Sequence, residues 1–301
     1  MKLRKNQLIS GTIAISISAI LWGFDGVVLT PRLYNLDVGW VVFVLHVIPF
    51  LIMNLFLFRE YTNLKTFIKQ DYILFTLVGI FGGALGTISI VKALFLVNFH
   101  QLSVVVLLQK LQPIFAIILA AILLKEKIKK NFIIWAGIAI VASYFLTFGF
   151  SIPFASLNDN TFMAAMFAIL AAFSFGSSTV FSKKILLQHN FVTATFYRYG
   201  FTSLIMLAYV IITGSISQFE LTTDVNWLYF FIIGTTTGSG AIFIYYYGLR
   251  RVKAILATIS ELFFPISAIL FDYIFNGSIL SPIQIVSAAI MVFAIIKLNS
   301  K

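Results

Sequence analysis

Residues Ala19–Val28 read AILWGFDGVV, and residues Ala171–Val180 read AAFSFGSSTV. At a constant offset of 153, Ala19 falls on Ala172, Trp22 on Phe175, Gly23 on Gly176 and Val27 on Val180, whereas Asp25 falls on the neutral Ser178. The echo continues outward from this stretch. Leu51–Met53 fall on Leu204–Met206, Gly79 and Gly83 on Gly234 and Gly238, Leu94 on Leu249, and Pro113 on Pro265. Two copies of one unit are therefore predicted, 1–150 and 151–301. Asp25 is a carboxylate in an otherwise apolar helix, a costly placement that by default marks a functional site.

The composition decides the solvent of the fold. Of the 301 residues, 60% are hydrophobic and only 10% charged, with a mean hydropathy of +1.02. Soluble domains carry about 25% charged residues, so a polytopic membrane protein is predicted. There is no Cys, which excludes disulfides, thiol catalysis and thiolate metal sites. His46, His100 and His189 are too scattered to suggest a metal centre, and no metal or cofactor is expected. The formal charge of +11 is spread between apolar segments rather than gathered in a patch, so it is read as a topology signal and not as nucleic-acid binding. The N-terminal MKLRKNQLIS precedes an apolar run longer than a signal sequence with no small-residue cleavage site, and an uncleaved first helix is expected.

With about 20 apolar residues needed to cross a bilayer, ten spans are predicted, near 8–29, 38–58, 72–95, 101–124, 132–150, 161–185, 192–213, 227–248, 254–275 and 281–297. Arg59–Asp71 and Gly214–Asn226 read as the longer polar loops. Placing the N-terminus inside puts seventeen of the 21 Lys and Arg residues on the cytoplasmic side and only Arg32 outside, the latter with Asp37, Asp159, Glu220 and Asp224. Such asymmetry supports ten transmembrane helices with both termini cytoplasmic, in the cell (inner or plasma) membrane. Five is odd, so the second unit enters from the opposite face. The fold class predicted is all-α, ten transmembrane helices as two inverted five-helix repeats, an architecture typical of secondary transporters that bind substrate between the repeats.

Several motifs carry a family resemblance. They are LWG at Leu21–Gly23, KAL at Lys92–Leu94 and QPIFAIILAAILLKEKI at Gln112–Ile128, repeated as YGL at Tyr247–Leu249 and FPISAILFDYIFNGSIL at Phe264–Leu280. Through them the chain resembles the EamA-type carriers of the drug/metabolite transporter superfamily. The second unit departs from the pattern where Asn276–Ser278 replace the KEK-like helix end. The resemblance implies a ten-helix carrier of small metabolites working by alternating access. It names no substrate.

The polar intramembrane residues are the site expectations. Ser18, Trp22 and Asp25 share one helix face, making Asp25 and Trp22 a cation or proton site, against hydration of Asp25 at a helix end or pairing with Arg32. Glu261 lies four residues before Pro265, as Gln109 lies four before Pro113. A carboxylate there suits proton coupling, against a simple salt bridge. Lys110 and Arg198 are deep cations, and the guanidinium fork suits an anionic group. His46 and Tyr199 complete the substrate set, His46 reading more readily as an interhelical hydrogen bonder. Gln112 offers further amide hydrogen bonds. Lys92 reads as snorkelling to the interface. Among Phe175, Tyr197, Tyr245, Tyr246 and Tyr247, packing is the default and ring stacking the alternative. The Gly79/Gly83, Gly82/Gly86 and Gly234/Gly238 pairs read as close-packing surfaces.

No enzyme motif survives inspection: there is no GxSxG, no HExxH and no phosphate loop after a strand. The expectation is a secondary active transporter, an exporter of a small polar metabolite such as an amino acid, driven by protons or by an exchange counter-substrate. Nucleotide-derivative or drug/amine exchange is the alternative. A non-transporting scaffold or receptor is the alternative of another class, and it predicts paired charges and no central cavity. The partners expected are the bilayer and a small-molecule substrate, and no nucleic acid.

Overall fold

The computed structural model describes residues 5–97, 105, 108–109, 111–150, 159–277, 279 and 281–299. Among these there is no strand. The helices are α1 (Lys5–Phe24), α2 (Val38–Leu57), α3 (Lys69–Val78), α4 (Gly86–Leu96), α5 (Gln112–Leu123), α6 (Lys130–Phe148), α7 (Asp159–Leu186), α8 (Phe191–Thr213), α9 (Asp224–Ile233), α10 (Ser239–Arg251), α11 (Ala254–Ser260), α12 (Phe263–Asn276) and α13 (Pro282–Asn299). Joined through shorter turns, they make seven apolar stretches long enough to cross a membrane: Asn6–Leu33, Val38–Lys65, Lys69–Leu96, Phe162–Leu186, Phe191–Thr213, Asp224–Arg251 and Ala254–Asn276. Three shorter apolar helices, Gln112–Leu123, Lys130–Leu146 and Pro282–Leu298, lie beside them.

Several local features depart from plain α-helix. The first span widens into a π-turn at Asp25–Leu29 and then tightens into a 3-10 turn at Thr30–Leu33, where Pro31 supplies no N–H. Gly79–Leu85 joins α3 to α4 as a second π-segment, and Gly234–Gly238 joins α9 to α10 as a third. The latter two occupy the echoed positions of the sequence. Asp25 is different, because its counterpart Ser178 lies in unbroken α-helix. The segment 254–275, expected as one helix, is interrupted at Glu261–Leu262. Pro265 has no N–H to give the Glu261 carbonyl, which accepts instead from Phe264 N at 2.9 Å. The stretch expected as the loop Arg59–Asp71 is partly helical, with a 3-10 turn at Phe58–Lys65.

Helices pack mainly on helices of the other half of the chain. In the first half α1 lies against α10 and α12, and in the second half α7 lies against α4 and α5. The remaining major contacts are α2 with α8 and α6 with α13. Two glycines show how close these approaches are. A Cβ on Gly23 would meet Ala268 N at 2.9 Å and Phe264 O at 3.0 Å, as well as the Ser267 hydroxyl. A Cβ on Gly176 would meet Ala116 N at 3.0 Å and Gln112 O at 2.8 Å. Gly23 and Gly176 are the conserved letters of the two echoed stretches, and each seats its helix on the backbone that surrounds the echoed proline. Hydrophobic association gives little in lipid, so such backbone-to-backbone fit is what holds membrane helices together.

The glycine pairs in the π-segments pack as expected. Gly83 faces Thr202, Gly82 faces Ser178, and Gly234 faces Pro49. Away from this centre, α6 and α13 form their own apolar pair around Ala136, Ala139, Ala142, Met291 and Ala294.

Candidate functional site

A cavity of about 520 Å³ lies between the halves, walled by α1, α2, α4, α5, α7, α8, α10 and α12 with the π-turns between them. Its volume falls within the roughly 300–1,000 Å³ of small-molecule sites. Trp22, Asp25, His46, Gln109, Arg198, Tyr199 and Glu261, all expected at the site, line it. Lys110, the remaining expected residue, lies outside the described residues.

One end of the polar lining is built around Glu261. Its position at the helix break points both carboxylate oxygens at donors from neighbouring helices. Gln112 Nε2 donates to Oε2 at 2.6 Å, and Tyr245 OH donates to Oε1 at 2.6 Å. Thr179 Oγ1 lies 3.0 Å from the Tyr245 hydroxyl, whose hydrogen is committed to Glu261, so Thr179 is the donor of that pair. The Tyr245 ring in turn packs on Trp22 with centroids 5.3 Å apart. Glu261, Gln112, Tyr245, Thr179 and Trp22 thus form one wall assembled from five segments.

A second layer surrounds Arg198. Its Nη1 donates to Tyr246 OH at 3.1 Å and its Nη2 to the Gly82 carbonyl at 2.9 Å. Because that bond is to the backbone of a π-segment, Arg198 ties α8 to the first half. Tyr246 OH also meets Ser182 Oγ at 2.7 Å. Two of the guanidinium's five N–H donors thus have protein partners. Nε has none, nor do the hydroxyls of Ser178 and Thr258, which line the same cavity. Buried polar groups are normally satisfied, so a lining with orphaned donors is one that a ligand or water would complete.

Asp25 sits at the far end of α1, where the π-turn carries its side chain into the cavity. Thr30 Oγ1 donates to its Oδ1 at 3.1 Å, and the alternative of a pairing with Arg32 is not formed. His46 Nδ1 lies 2.8 Å from the Val42 carbonyl. A carbonyl only accepts, so Nδ1 carries the hydrogen, and the bond is made within α2 rather than, as expected, to another helix. Its ring lies 5.4 Å from that of Tyr199. Tyr197 and Tyr247 do not reach the cavity. Tyr197 donates to the Glu60 carbonyl at 2.8 Å, and Tyr247 lies under Arg251 at 3.4 Å. Lys92 is exposed and lies 4.9 Å from the Phe167 ring, as an interfacial residue would.

The opposite ends of several of these helices are tied together by polar contacts. Lys183 Nζ donates to the carbonyls of Leu249 at 2.8 Å and Arg250 at 3.1 Å, closing the end of α10. Glu126 accepts from Ala254 N at 2.9 Å and Ile255 N at 3.2 Å, capping α11. His189 meets Asp71 at 2.9 Å. Sequence reasoning noted Glu126 only as part of a motif. Its role needed the approach of a helix 128 residues away.

The family model for EamA-like transporters matches residues 9–148 and again 162–300. The chain belongs to the EamA-like transporter family. It is 52% identical over 292 residues, 97% of this chain and 98% of the relative, to the riboflavin transporter ImpX of Fusobacterium nucleatum subsp. nucleatum. It is 23% identical over 196 residues, 65% of this chain and 66% of the relative, to an uncharacterized transporter of Archaeoglobus fulgidus. A solved crystal structure of a protein aligns over 95% of each chain with a TM-score of 0.67 at 16% identity, a likeness of fold alone. This EamA-like protein is a multi-pass membrane transporter and not an enzyme.

Proposed function

We propose that this EamA-like protein carries riboflavin or a closely related flavin across the cell membrane by alternating access. The observation that carries the reading is the 52% identity to a riboflavin transporter along almost the whole of both chains. The cavity is consistent with it. Trp22, Phe175, Tyr199, Tyr245 and Phe264 offer ring faces, and Gln109, Gln112, Thr87 and Thr258 offer neutral hydrogen-bonding groups. A flat heteroaromatic system with carbonyl oxygens and a polyhydroxyl chain matches that mixture better than the small amino acid suggested by the charged residues alone.

The transport frame we propose is ten spans in two inverted repeats, 1–150 and 151–301, with both termini cytoplasmic. Three observations support it. The family matches the chain twice. The two glycine π-segments fall at echoed positions. The packing of α1 on α10 and α12 has its counterpart in α7 on α4 and α5, as a twofold axis in the membrane plane would require. In this frame Asp25, Trp22, His46, Gln109, Lys110, Arg198, Tyr199 and Glu261 form the substrate site, with Asp25 and Glu261 as the groups for proton coupling.

The test is flavin flux into liposomes containing the purified protein, followed by flavin fluorescence, with and without a pH gradient. Saturable riboflavin flux is expected. Flux no greater than in protein-free liposomes refutes the flavin reading, and flux indifferent to the gradient removes proton coupling from it.

A further inference from the structure

The flavin reading leaves open which flavins pass, and the inference below rests on that reading. Asp25 follows α1, and Asp272 lies near the end of α12. The residues beside them are in ring contact: Phe24 lies 5.2 Å from Phe271 and 5.8 Å from Phe275. These contacts pack the end of α1 against α12, and both Asp25 and Asp272 line the cavity. Each accepts from a neutral donor, Asp25 from Thr30 at 3.1 Å and Asp272 from Asn276 at 2.7 Å. Neither forms an ion pair among the described residues.

The rest of the lining offers an anion little. Arg198 is the one cation among the described lining residues. It is 8% exposed, and each of its Nη atoms already has one protein partner. The unpartnered hydroxyls of Ser178 and Thr258, 3% and 1% exposed, are neutral. They suit carbonyl oxygens and hydroxyl groups of a neutral ligand.

We propose that Asp25 and Asp272 form a charge filter that admits riboflavin and rejects its 5′-phosphate, which makes Asp272 a specificity-determining residue. A phosphate monoester carries about −1.5 to −2 charges at neutral pH. Bringing it into a cavity lined by Asp25, Asp272 and Glu261 against the single cation Arg198 sets an excess of like charge around it, a juxtaposition that discriminates between partners.

The test compares equilibrium binding of riboflavin, its 5′-phosphate and lumiflavin, the methyl-substituted ring system without the ribityl chain, to the full-length protein in nanodiscs. Quenching of flavin fluorescence is the readout. The unsubstituted protein is expected to prefer riboflavin to the phosphate by about a hundredfold or more. Asp272→Asn is expected to shrink that preference at least tenfold, through tighter binding of the phosphate, and Asp272→Glu is expected to retain it. A gain of binding cannot come from misfolding. Asp25→Asn provides the second arm, with the same direction expected in the ratio of phosphate to riboflavin.

Equal affinity for riboflavin and its phosphate in the unsubstituted protein overturns the filter while leaving the flavin reading intact. A preference that survives both carboxamide variants overturns it as well. Failure of riboflavin and lumiflavin alike to bind overturns the flavin reading, and the filter with it.

Discussion

Gly→Ala in a helix normally stabilises, because Gly is about 0.8–1.0 kcal/mol worse than Ala in a helix interior. At Gly23 the opposite sign is expected. The new methyl would lie 2.9 Å from Ala268 N and 3.0 Å from Phe264 O, and would overlap the Ser267 hydroxyl. The hydroxyl can rotate away, at the expense of its 2.9 Å hydrogen bond to the Phe264 carbonyl, about 1 kcal/mol. The two backbone atoms cannot rotate, so α12 must move off α1. Overpacking of this kind costs about 1–3 kcal/mol. Set against the helix gain, a net loss of about 1–3 kcal/mol remains. Since α12 carries Phe264, Pro265, Ala268 and Asp272 on the cavity wall, flavin binding should weaken together with stability. Gly176→Ala meets Gln112 O at 2.8 Å and Ala116 N at 3.0 Å and should behave alike, with a slightly smaller loss because no polar side chain is displaced. The assay is the thermal unfolding midpoint of each purified variant in one detergent, with flavin binding measured in parallel. A raised midpoint for either variant, with binding intact, would refute the close-approach reasoning. The double variant Gly23→Ala/Ser267→Ala should recover part of the Gly23→Ala loss, because it removes the side-chain overlap and leaves the backbone contacts.

Glu261→Gln replaces one acceptor oxygen with a donor, so that either Gln112 or Tyr245 faces an NH₂ group in place of an oxygen; losing one hydrogen bond to a charged group costs about 1.5–3 kcal/mol. Flavin affinity should fall about tenfold or more, and the exchanged pair Gln112→Glu/Glu261→Gln should restore part of it in the same titration. Glu126→Gln keeps one acceptor for the N-terminus of α11 but removes the negative charge there, worth roughly 0.3–1 kcal/mol at a helix N-terminus; Glu126→Ala removes both acceptors and should lower the unfolding midpoint further, an ordering that differential scanning fluorimetry checks.

Which parts of the site were legible in the sequence follows from what kind of information each needed. Asp25, Arg198 and Glu261 stand out because an ionisable residue in an apolar run is expensive wherever its helix goes. Tyr245 and Tyr247 do not separate by composition. Two residues apart on a helix, they face different neighbours, one Glu261 and Trp22, the other Arg251. Asp272 does not stand out in the sequence, because only the packing of α12 on α1, seen in the Phe24–Phe271 contact, puts it on the same cavity as Asp25. The π-turn at Asp25 precedes Pro31, whereas its counterpart Ser178–Ser182 has no proline after it and stays α-helical.

Sequence by itself determined the membrane as solvent, the apolar segments and the echo between the halves. These are properties of single residues and of short periods along the chain, and burying some 20 apolar residues in lipid settles them locally. It also marked Gly23 and Gly176 as equivalent. Only the tertiary structure decided what these glycines are for: each lets one half of the chain lie on the proline-flanking backbone of the other. Tertiary structure alone also decided which polar residues meet in the cavity, that Arg198 bonds to Tyr246 and Gly82, and that Asp25 and Asp272 line the same cavity. Those are pairings between separate segments of the chain, 116 residues apart for Arg198 and Gly82 and 149 for Gln112 and Glu261, fixed by which helix surfaces fit closely enough to exclude lipid, and no local pattern encodes them.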